Sequence, residues 1–354
     1  MLNNADVRQF RSDKILKHLD VVSDWIKGGN PSPITVEIDM TNVCNHSCPE
    51  CVVDYYQKND SNALSFDESK RIIDQLAEAK VRGLTFTGGG EPLCNVHTVD
   101  AVVYAEKSGL DVAFITNCSL MSEEKADALV SSCVWIRVSL DAATSETFKI
   151  THGKNSTEFD KVINGTKMLV EAKKRLKAKC IIGAGYLTSD ETVREMETAA
   201  VLCKNIGVDY LQYRPMQIHH GGEFSYHWTE VNSLIEKCLQ HSNNSFKILF
   251  SKHKYEMMQN KDYGRNYGKC YGHQFATVIS ASGDMYICCH LRGYQKYKLG
   301  NIKEQSFMEI WNSEQRRKAY ENINFKDCIP LCRCNTFNQI LWELKKPADH
   351  VNFL

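Results

Sequence analysis

The sequence predicts an α/β fold in which short strands alternate with longer helices, followed by a smaller module that is rich in cysteine. Short runs of apolar and β-branched residues recur along the N-terminal part of the chain, a pattern typical of buried strands. Longer segments with helical periodicity separate these runs. After Tyr263 the pattern changes to short, glycine-punctuated strands with clustered cysteines, which indicates a second structural module.

Six strand candidates alternate with helices and imply a parallel sheet. The strand candidates are Ile34–Met40, Gly83–Thr87, Asp111–Thr116, Val134–Leu140, Ala178–Ala184 and Tyr210–Tyr213. Helices are predicted between them at Phe66–Arg82, Glu158–Arg175 and Glu191–Asn205. Asp67 and Ser122 are the expected helix N-caps. The spacing alone fits either a doubly wound sheet or an incomplete barrel, and in both folds the functional loops leave the C-terminal strand ends.

The chain divides into predicted segments along its length. They are an N-terminal helical segment at 1–33, the main α/β unit at 34–225, a helical linker at 226–263, the cysteine-rich module at 264–340 and a C-terminal tail at 341–354. The N-terminal segment is expected to cover one end of the main unit.

Composition argues against several classes of protein. The 354 residues, 43% of them hydrophobic, suit one large domain and one small one. Lysine plus arginine equals aspartate plus glutamate at 43 each, which gives no support for a nucleic-acid or anionic membrane surface. No apolar run is long enough to span a membrane, and the N-terminus lacks the apolar segment of a secretion signal. The 15 cysteines then favour a reducing, cytoplasmic location.

A loop with three cysteines follows the first predicted strand. Cys44, Cys48 and Cys51 have the spacing Cys-x3-Cys-x2-Cys, which would hold three irons of a four-iron cluster and leave the fourth open. A zinc site is the alternative, and His46 inside the loop would complete it. A glycine loop, Gly88–Glu91, follows the second strand, so both loops are expected on the same rim of the sheet.

These two motifs together resemble the radical S-adenosylmethionine (radical SAM) superfamily, over roughly residues 34–216. The resemblance implies a partial (β/α)6 TIM-like barrel with a small α+β cluster-binding module behind it. It implies that the open iron binds the methionine moiety of S-adenosylmethionine. Gly89, Gly90 and Glu91 would bind the methionine amino group. Ser139 would contact the ribose and carboxylate, and Arg214 would bind the methionine carboxylate unless it forms a structural salt bridge.

The cysteines of the second module resemble the SPASM and twitch modules, which carry auxiliary iron–sulfur clusters. The candidate ligands are Cys270, Cys288, Cys328, Cys332 and Cys334. A turn at Gly283 is expected to bring Cys270 and Cys288 onto paired strands. Two fully ligated four-iron clusters need about eight thiolates, so one auxiliary cluster is expected. The sequence does not show which two of Cys328, Cys332 and Cys334 complete the four ligands. A zinc ribbon is the alternative to an iron–sulfur cluster.

Cys289 is the remaining cysteine of this module. Neighbouring residues of a strand point to opposite faces, so Cys289 is expected to face away from Cys288. It is a candidate catalytic residue, because a thiol in the barrel mouth would return a hydrogen atom to a substrate radical. A buried structural thiol is the favoured interpretation.

The resemblance implies an enzyme that reductively cleaves S-adenosylmethionine to a 5′-deoxyadenosyl radical, which abstracts hydrogen from a substrate. The favoured hypothesis is oxidation of a small sugar or aminocyclitol-like substrate, with an auxiliary [4Fe–4S] cluster accepting the electron. A radical epimerase and a peptide-modifying maturase are alternatives, and a non-catalytic iron–sulfur electron-transfer protein is the alternative of another class. An electron donor such as flavodoxin or ferredoxin is implied.

Overall fold

The computed structural model describes residues 12–57, 61–216, 228–347 and 349–352. Within them, ten strands form one sheet in the order β10-β9-β8-β1-β2-β3-β4-β5-β6-β7. The strands are β1 Thr35–Asp39, β2 Gly83–Thr87, β3 Asp111–Thr116, β4 Cys133–Ser139, β5 Ile181–Thr188, β6 Tyr210–Pro215, β7 Lys247–Phe250, β8 Ala276–Ile279, β9 Asp284–Tyr286 and β10 Lys298–Asn301.

Helices connect and cover this sheet. They are α1 Leu19–Ile26, α2 Asp54–Gln57, α3 Phe66–Glu78, α4 Thr98–Lys107, α5 Glu123–Ser132, α6 Ser145–His152, α7 Ser156–Leu176, α8 Met196–Ile206, α9 Trp228–Gln240, α10 Lys252–Gln259, α11 Phe307–Trp311, α12 Glu314–Glu321 and α13 Asn335–Lys345. Within the described residues, no helix has the length and apolarity needed to cross a bilayer.

Strands β1 to β7 run parallel in sequential order, and they form the partial barrel that the resemblance implies. The sheet does not close, because β10 and β7 lie at its two ends within the described part of the chain. Along β1 the side chains alternate. Val36 and Ile38 are buried in the main hydrophobic core, where each stabilises the fold by roughly 1.5–3 kcal/mol, whereas Glu37 and Asp39 point to the opposite face.

The predicted bounds agree for β2 and β3 and differ for β5. The prediction ended this strand at Ala184, whereas the observed strand continues to Thr188. Its start is delayed because Lys177 adopts a left-handed conformation (φ 52°) that ends α7. Its continuation passes through Gly185, which resembles a strand end in the sequence because glycine has low strand propensity.

Two helix predictions need correction. The capping residue of α3 is Ser65, not Asp67, and Ser65 forms a capping box with Glu68. The same helix ends at Glu78 rather than Arg82, because Lys80 has a positive φ of 60°. Ser122 is confirmed as an N-cap, since its side chain accepts a hydrogen bond from the Lys125 amide.

The segment predicted as a helical linker, 226–263, also contains a strand. It holds α9 and α10, but β7 lies between them and pairs in parallel with β6. The strand has only four residues, which is too short for periodicity to reveal. Residues 226 and 227 of this prediction lie outside the described residues.

The second module continues the barrel sheet. β8 pairs in parallel with β1, and β9 returns antiparallel to β8 through a turn at Gly283, whose φ is 87°. The expected turn is therefore confirmed. Cys270 and Cys288 do not lie on the paired strands, however: both lie beyond the strand ends that face away from the turn.

The N-terminal helix α1 packs against the second module. Its Trp25 ring lies 5.0 Å from the Tyr271 ring, and both belong to a small apolar cluster with Leu341 of α13. The first eleven residues of the predicted N-terminal helical segment lie outside the described residues.

Candidate functional site

The cysteine loop and the glycine loop are joined through their backbones. The Gly90 amide donates to the Thr41 carbonyl at 2.9 Å, and the Glu91 amide donates to the Val43 carbonyl at 3.0 Å. A Cβ atom on Gly90 would lie 2.1 Å from the Val43 carbonyl oxygen. Only glycine therefore permits this contact, which fixes the two loops side by side on the rim.

Glu91 ties the glycine loop to the end of β3. Its carboxylate accepts hydrogen bonds from the Thr116 hydroxyl and the Asn117 amide, both at 2.6 Å, and from the Leu93 amide at 3.1 Å. Burial raises the pKa of Glu91, while these donors favour the ionised form. The carboxylate is thus a structural anchor, and its contact with a methionine ammonium remains a prediction.

A cavity of about 250 Å³, the first cavity, brings together most of the predicted site residues. Its lining includes Cys44, Cys48, Cys51, Gly88, Gly90, Glu91, Ser139 and Asp141. Gly89 is buried between the two glycines that line it. Asp141 is held in a left-handed conformation (φ 46°) and accepts a hydrogen bond from the Leu187 amide at 2.6 Å. The rim therefore gathers the loops of β1, β2 and β4 around one volume.

The three cysteines fit a cluster better than a single ion. They line one cavity, yet within the described residues they do not form a group whose sulfurs all lie within the 4.8 Å that suits one metal ion. A cubane cluster spreads its cysteine ligands over several irons. Burial raises the pKa of Cys44 to about 11, so cluster assembly must displace thiol protons.

A second metal arrangement overlaps this triad. Ligand atoms of His46, Cys48 and His152 lie within 4.8 Å of one another, close enough to hold one metal ion. This arrangement is a form of the zinc alternative, and His152 is the residue that was not predicted from the sequence. Burial lowers the pKa of both imidazoles to about 4. His152 stacks on Phe148 at 4.1 Å, so aromatic packing also accounts for its position. The two arrangements exclude each other, because both use Cys48.

Polar side chains hold the cysteine loop against β3. The Asn117 amide group donates to the Asn45 side-chain oxygen at 2.9 Å, and Asn45 donates to the Ser119 hydroxyl at 2.8 Å. Asn45 was not among the predicted site residues, although its position inside the cysteine loop was a signal.

Arg214 does not line the first cavity. A Cβ atom built on Gly185 would lie 3.0 Å from an Arg214 terminal nitrogen and 3.5 Å from the Arg137 Cδ atom. Arg214 therefore lies beside Arg137, next to the strand partner of Ser139. Its contact with the methionine carboxylate remains a prediction.

The second cavity, of about 40 Å³, lies in the second module. All its cysteines line this cavity: Cys270, Cys288, Cys289, Cys328, Cys332 and Cys334. The prediction that Cys289 faces away from Cys288 is wrong. Cys288 is extended, but Cys289 begins a 3-10 turn, Cys289–Leu291, so strand alternation no longer applies.

Two thiols of the second cavity are biased toward the thiolate form. Contact with Cys288 lowers the pKa of Cys289, and Arg333 and His290 act in the same direction. A hydrogen bond from Cys334 lowers the pKa of Cys332 to about 6. Thiolates are the form that binds iron, so the donor set fits an auxiliary cluster. All fifteen cysteines of the chain fall within described residues, and none forms a disulfide.

A buried ionic network joins β1 to the second module. Arg292 contacts Asp39 at 3.0 Å and Glu37 at 3.6 Å, and Arg333 pairs with Glu37. Burial raises the pKa of Asp39 to about 7, although Arg292 opposes the shift. The interior face of β1 is therefore fixed by cations that flank the second cavity.

Two family models match the chain. The model of the radical SAM superfamily matches residues 38–200, which include the cysteine and glycine loops. The model of the SPASM iron–sulfur cluster-binding domain matches residues 270–335, which include all six cysteines of the second cavity.

Relatives and solved structures extend over most of the chain. The AdoMet-dependent heme synthase of Methanosarcina barkeri is 25% identical over 321 residues, covering 85% of this chain and 88% of that protein. The mycofactocin maturase MftC of Mycobacterium tuberculosis is 25% identical over 304 residues, covering 83% and 74%. The crystal structure of Streptococcus suis SuiB bound to precursor peptide SuiA has a TM-score of 0.65 and 16% identity, covering 94% and 76%, which establishes a shared fold.

Both cavities are lined by cysteines that lie within the residues matched by the family models. The three-cysteine loop and the glycine loop face one cavity, and the remaining cluster candidates face another. The cofactors are S-adenosylmethionine and [4Fe–4S] clusters, and the chain belongs to the radical SAM superfamily, with a C-terminal SPASM domain.

Proposed function

We propose that this radical SAM enzyme modifies a peptide. The observation that carries the proposal is the alignment with a peptide maturase, MftC, over 83% of the chain. The fold shared with SuiB, a protein crystallised with its precursor peptide, adds support. These relatives favour the peptide alternative over the small sugar or aminocyclitol substrate that the sequence analysis preferred.

The residues of this chain would divide the work between two cavities. S-adenosylmethionine, bound at a reduced [4Fe–4S] cluster, supplies a 5′-deoxyadenosyl radical. Cys44, Cys48 and Cys51 would hold that cluster, and the loop at Gly88–Glu91 would orient the methionine end against them. The thiols of the second cavity would hold an auxiliary cluster that accepts an electron from the substrate.

The open sheet supports an extended substrate. β1 lies between β8 and β2, so the two cavities are built on neighbouring strands around one interior. That interior is not sealed by a closed barrel, because β7 and β10 do not pair with each other in the described residues. An open sheet of this kind admits an extended peptide with one residue in the interior, whereas a closed barrel would exclude it.

A second candidate is a step in haem synthesis. The alignment with the heme synthase of Methanosarcina barkeri covers 88% of that protein, a larger share than the alignment with MftC covers of MftC. This candidate takes a substrate of another class and is therefore separable by experiment.

Anaerobically reconstituted enzyme should be incubated with S-adenosylmethionine, dithionite and peptides encoded beside its gene. We expect 5′-deoxyadenosine together with a mass change in one peptide, and deuterium in 5′-deoxyadenosine when that peptide is deuterated. The variant in which Cys44, Cys48 and Cys51 are all alanine is the inactive control. Unchanged peptides, together with conversion of a haem precursor, would replace the peptide proposal with the second candidate.

A further inference from the structure

Two arginines meet in the barrel interior over a glycine. Arg137 on β4 and Arg214 on β6 approach Gly185 of the intervening strand β5 from either side. A Cβ atom on Gly185 would lie 3.0 Å from the Arg214 terminal nitrogen and 3.7 Å from the Arg137 Nε atom. The missing side chain at Gly185 leaves the space that lets both guanidinium groups lie together.

These cations have no direct acidic partner in the described part of the chain. Neither Arg137 nor Arg214 forms an ion pair there, and the Nε atom of each is buried without a hydrogen-bond acceptor. Lys254 lies on α10, which packs against β6, and burial first, and then Arg214, lower its pKa to about 8. Among the described residues Lys254 forms no ion pair either, so positive charge exceeds negative charge at this place.

The acidic groups around this cationic cluster are already engaged. The Asp141 carboxylate accepts from the Leu187 amide at 2.6 Å. Glu37 pairs with Arg333, and Asp39 lies 3.0 Å from Arg292. None of these carboxylates comes within ion-pair distance of the cationic cluster in the described part of the chain. Asp141 interacts electrostatically with both arginines and offsets part of their charge, and the remainder is available for an anion.

Uncompensated cations away from bulk water are unfavourable, and a bound anion would relieve that cost. Each guanidinium group offers a fork of N–H donors, a geometry that matches the two oxygens of a carboxylate. A lysine beside them adds charge without fixing the orientation. The chemistry of the cationic cluster therefore suits an oxyanion, and a carboxylate is the oxyanion that every peptide carries.

The cationic cluster of Arg137, Arg214 and Lys254 lies between the two cavities. Ser139 lies two residues after Arg137 on the same face of β4, and it lines the first cavity. Met216 lies two residues after Arg214, just beyond the end of β6, and it lines the same cavity. On the other side, Cys332 of the second cavity influences the pKa of Lys254. A group bound here would lie between the S-adenosylmethionine site and the auxiliary cluster.

We propose that Arg137, Arg214 and Lys254 bind a carboxylate of the substrate, either an acidic side chain or the C-terminal carboxylate of the peptide. This inference rests on the proposed function, and it names the chemistry by which the enzyme recognises its peptide. The carboxylate anchors the residue whose hydrogen is abstracted.

The test uses the full-length reconstituted enzyme with S-adenosylmethionine bound and measures binding by calorimetry. Glutarate is the anionic probe, and glutaramide is its neutral counterpart. We expect glutarate to bind roughly tenfold or more tightly than glutaramide, and Arg137→Gln and Arg214→Gln to abolish that preference. Arg214→Lys should retain part of it. Acetyl-Gly-Glu-Gly-amide and acetyl-Gly-Gly-Gly with a free carboxylate then identify whether the side chain or the C-terminus is bound.

The matched control is Arg194→Gln, because the Arg194 side chain is 84% exposed and lies outside both cavities. It should leave the glutarate preference intact, and iron content should be unchanged in every variant. Equal binding of both probes to the unmodified enzyme overturns the inference. So does a parallel loss of S-adenosylmethionine affinity in the arginine variants, which would assign the arginines to the methionine carboxylate.

The same measurements separate this inference from the proposed function. Modification of neutral and acidic peptides at equal rates overturns the carboxylate site and leaves the peptide proposal standing. A clear glutarate preference without modification of any peptide supports the site and overturns the peptide proposal.

Discussion

The two candidate iron-binding cavities are built in different ways. In the first, three thiols lie within one eight-residue loop, which a glycine loop holds through backbone hydrogen bonds. In the second, the thiols come from three separate segments between Cys270 and Cys334, and they meet because a hairpin and α13 fold around them. A local motif needs few other contacts, whereas a dispersed one depends on the whole module. The first site was therefore predictable in detail and the second only in outline.

The largest effect is expected when the local motif is removed. The triple change of Cys44, Cys48 and Cys51 to alanine should abolish 5′-deoxyadenosine formation and remove roughly half of about seven to eight irons per chain. Iron and sulfide analysis after anaerobic reconstitution measures this. Only four irons accompanied by zinc in the unmodified protein would contradict the two-cluster comparison and favour the site formed by His46, Cys48 and His152.

Gly90→Ala tests whether the loops of the first cavity need their close contact. The new Cβ atom would lie 2.1 Å from a backbone oxygen, so the loops must separate. We expect a loss of about 1–3 kcal/mol in unfolding free energy and a large loss of S-adenosylmethionine affinity. Gly83→Ala is the control, because its Cβ atom would meet its nearest neighbour at 3.5 Å. Unchanged affinity in Gly90→Ala would show that the loops move independently.

Glu91→Ala should have a smaller effect. It leaves the donors of Thr116, Asn117 and Leu93 without their acceptor, which costs about 1–3 kcal/mol for an unsatisfied buried group. We expect weaker binding of S-adenosylmethionine with iron content unchanged, measured by calorimetry and iron analysis on the same sample. Affinity equal to that of the unmodified protein would mean that Glu91 is only a loop residue.

Cys289→Ala should have the smallest effect and sharpens the description of the second cavity. Cys288 has the motif spacing after Gly283, so we expect the variant to keep its auxiliary cluster, its turnover and its product. Loss of the auxiliary iron would make Cys289 a ligand. Continued 5′-deoxyadenosine formation without product would instead show a hydrogen donor and favour an epimerase. Cys288→Ala is the comparison that should lose the auxiliary cluster.

The sequence predicted features that depend on neighbouring residues and missed those that depend on contacts between distant segments. β2 and β3 were predicted to the residue, because apolar runs bounded by turns define both ends. β7 was missed because four residues carry no period. The meeting of Arg137 and Arg214 depends on pairing across β5, and His152 reaches Cys48 through the packing of α6. Contacts of this kind arise from tertiary structure, and no single sequence pattern encodes them.

The side chain of Cys289 illustrates the same limit in one residue. Alternation along a strand predicts its direction only while the strand continues, and the chain turns at this residue. The identity of the cysteine was visible in the sequence, but its direction depended on where the backbone leaves the sheet.

The parallel pairing of β8 with β1 has a consequence for how the protein is built. β1 has a neighbour on each side, so its backbone groups are paired along both edges. Removing residues 264–340 would expose one edge of β1 and leave Glu37 and Asp39 without Arg292 and Arg333. The second module thus supplies three of the ten strands of the sheet and is an integral part of it. The distance between the two candidate iron sites is therefore set by the adjacent strands β1 and β8 and not by a hinge.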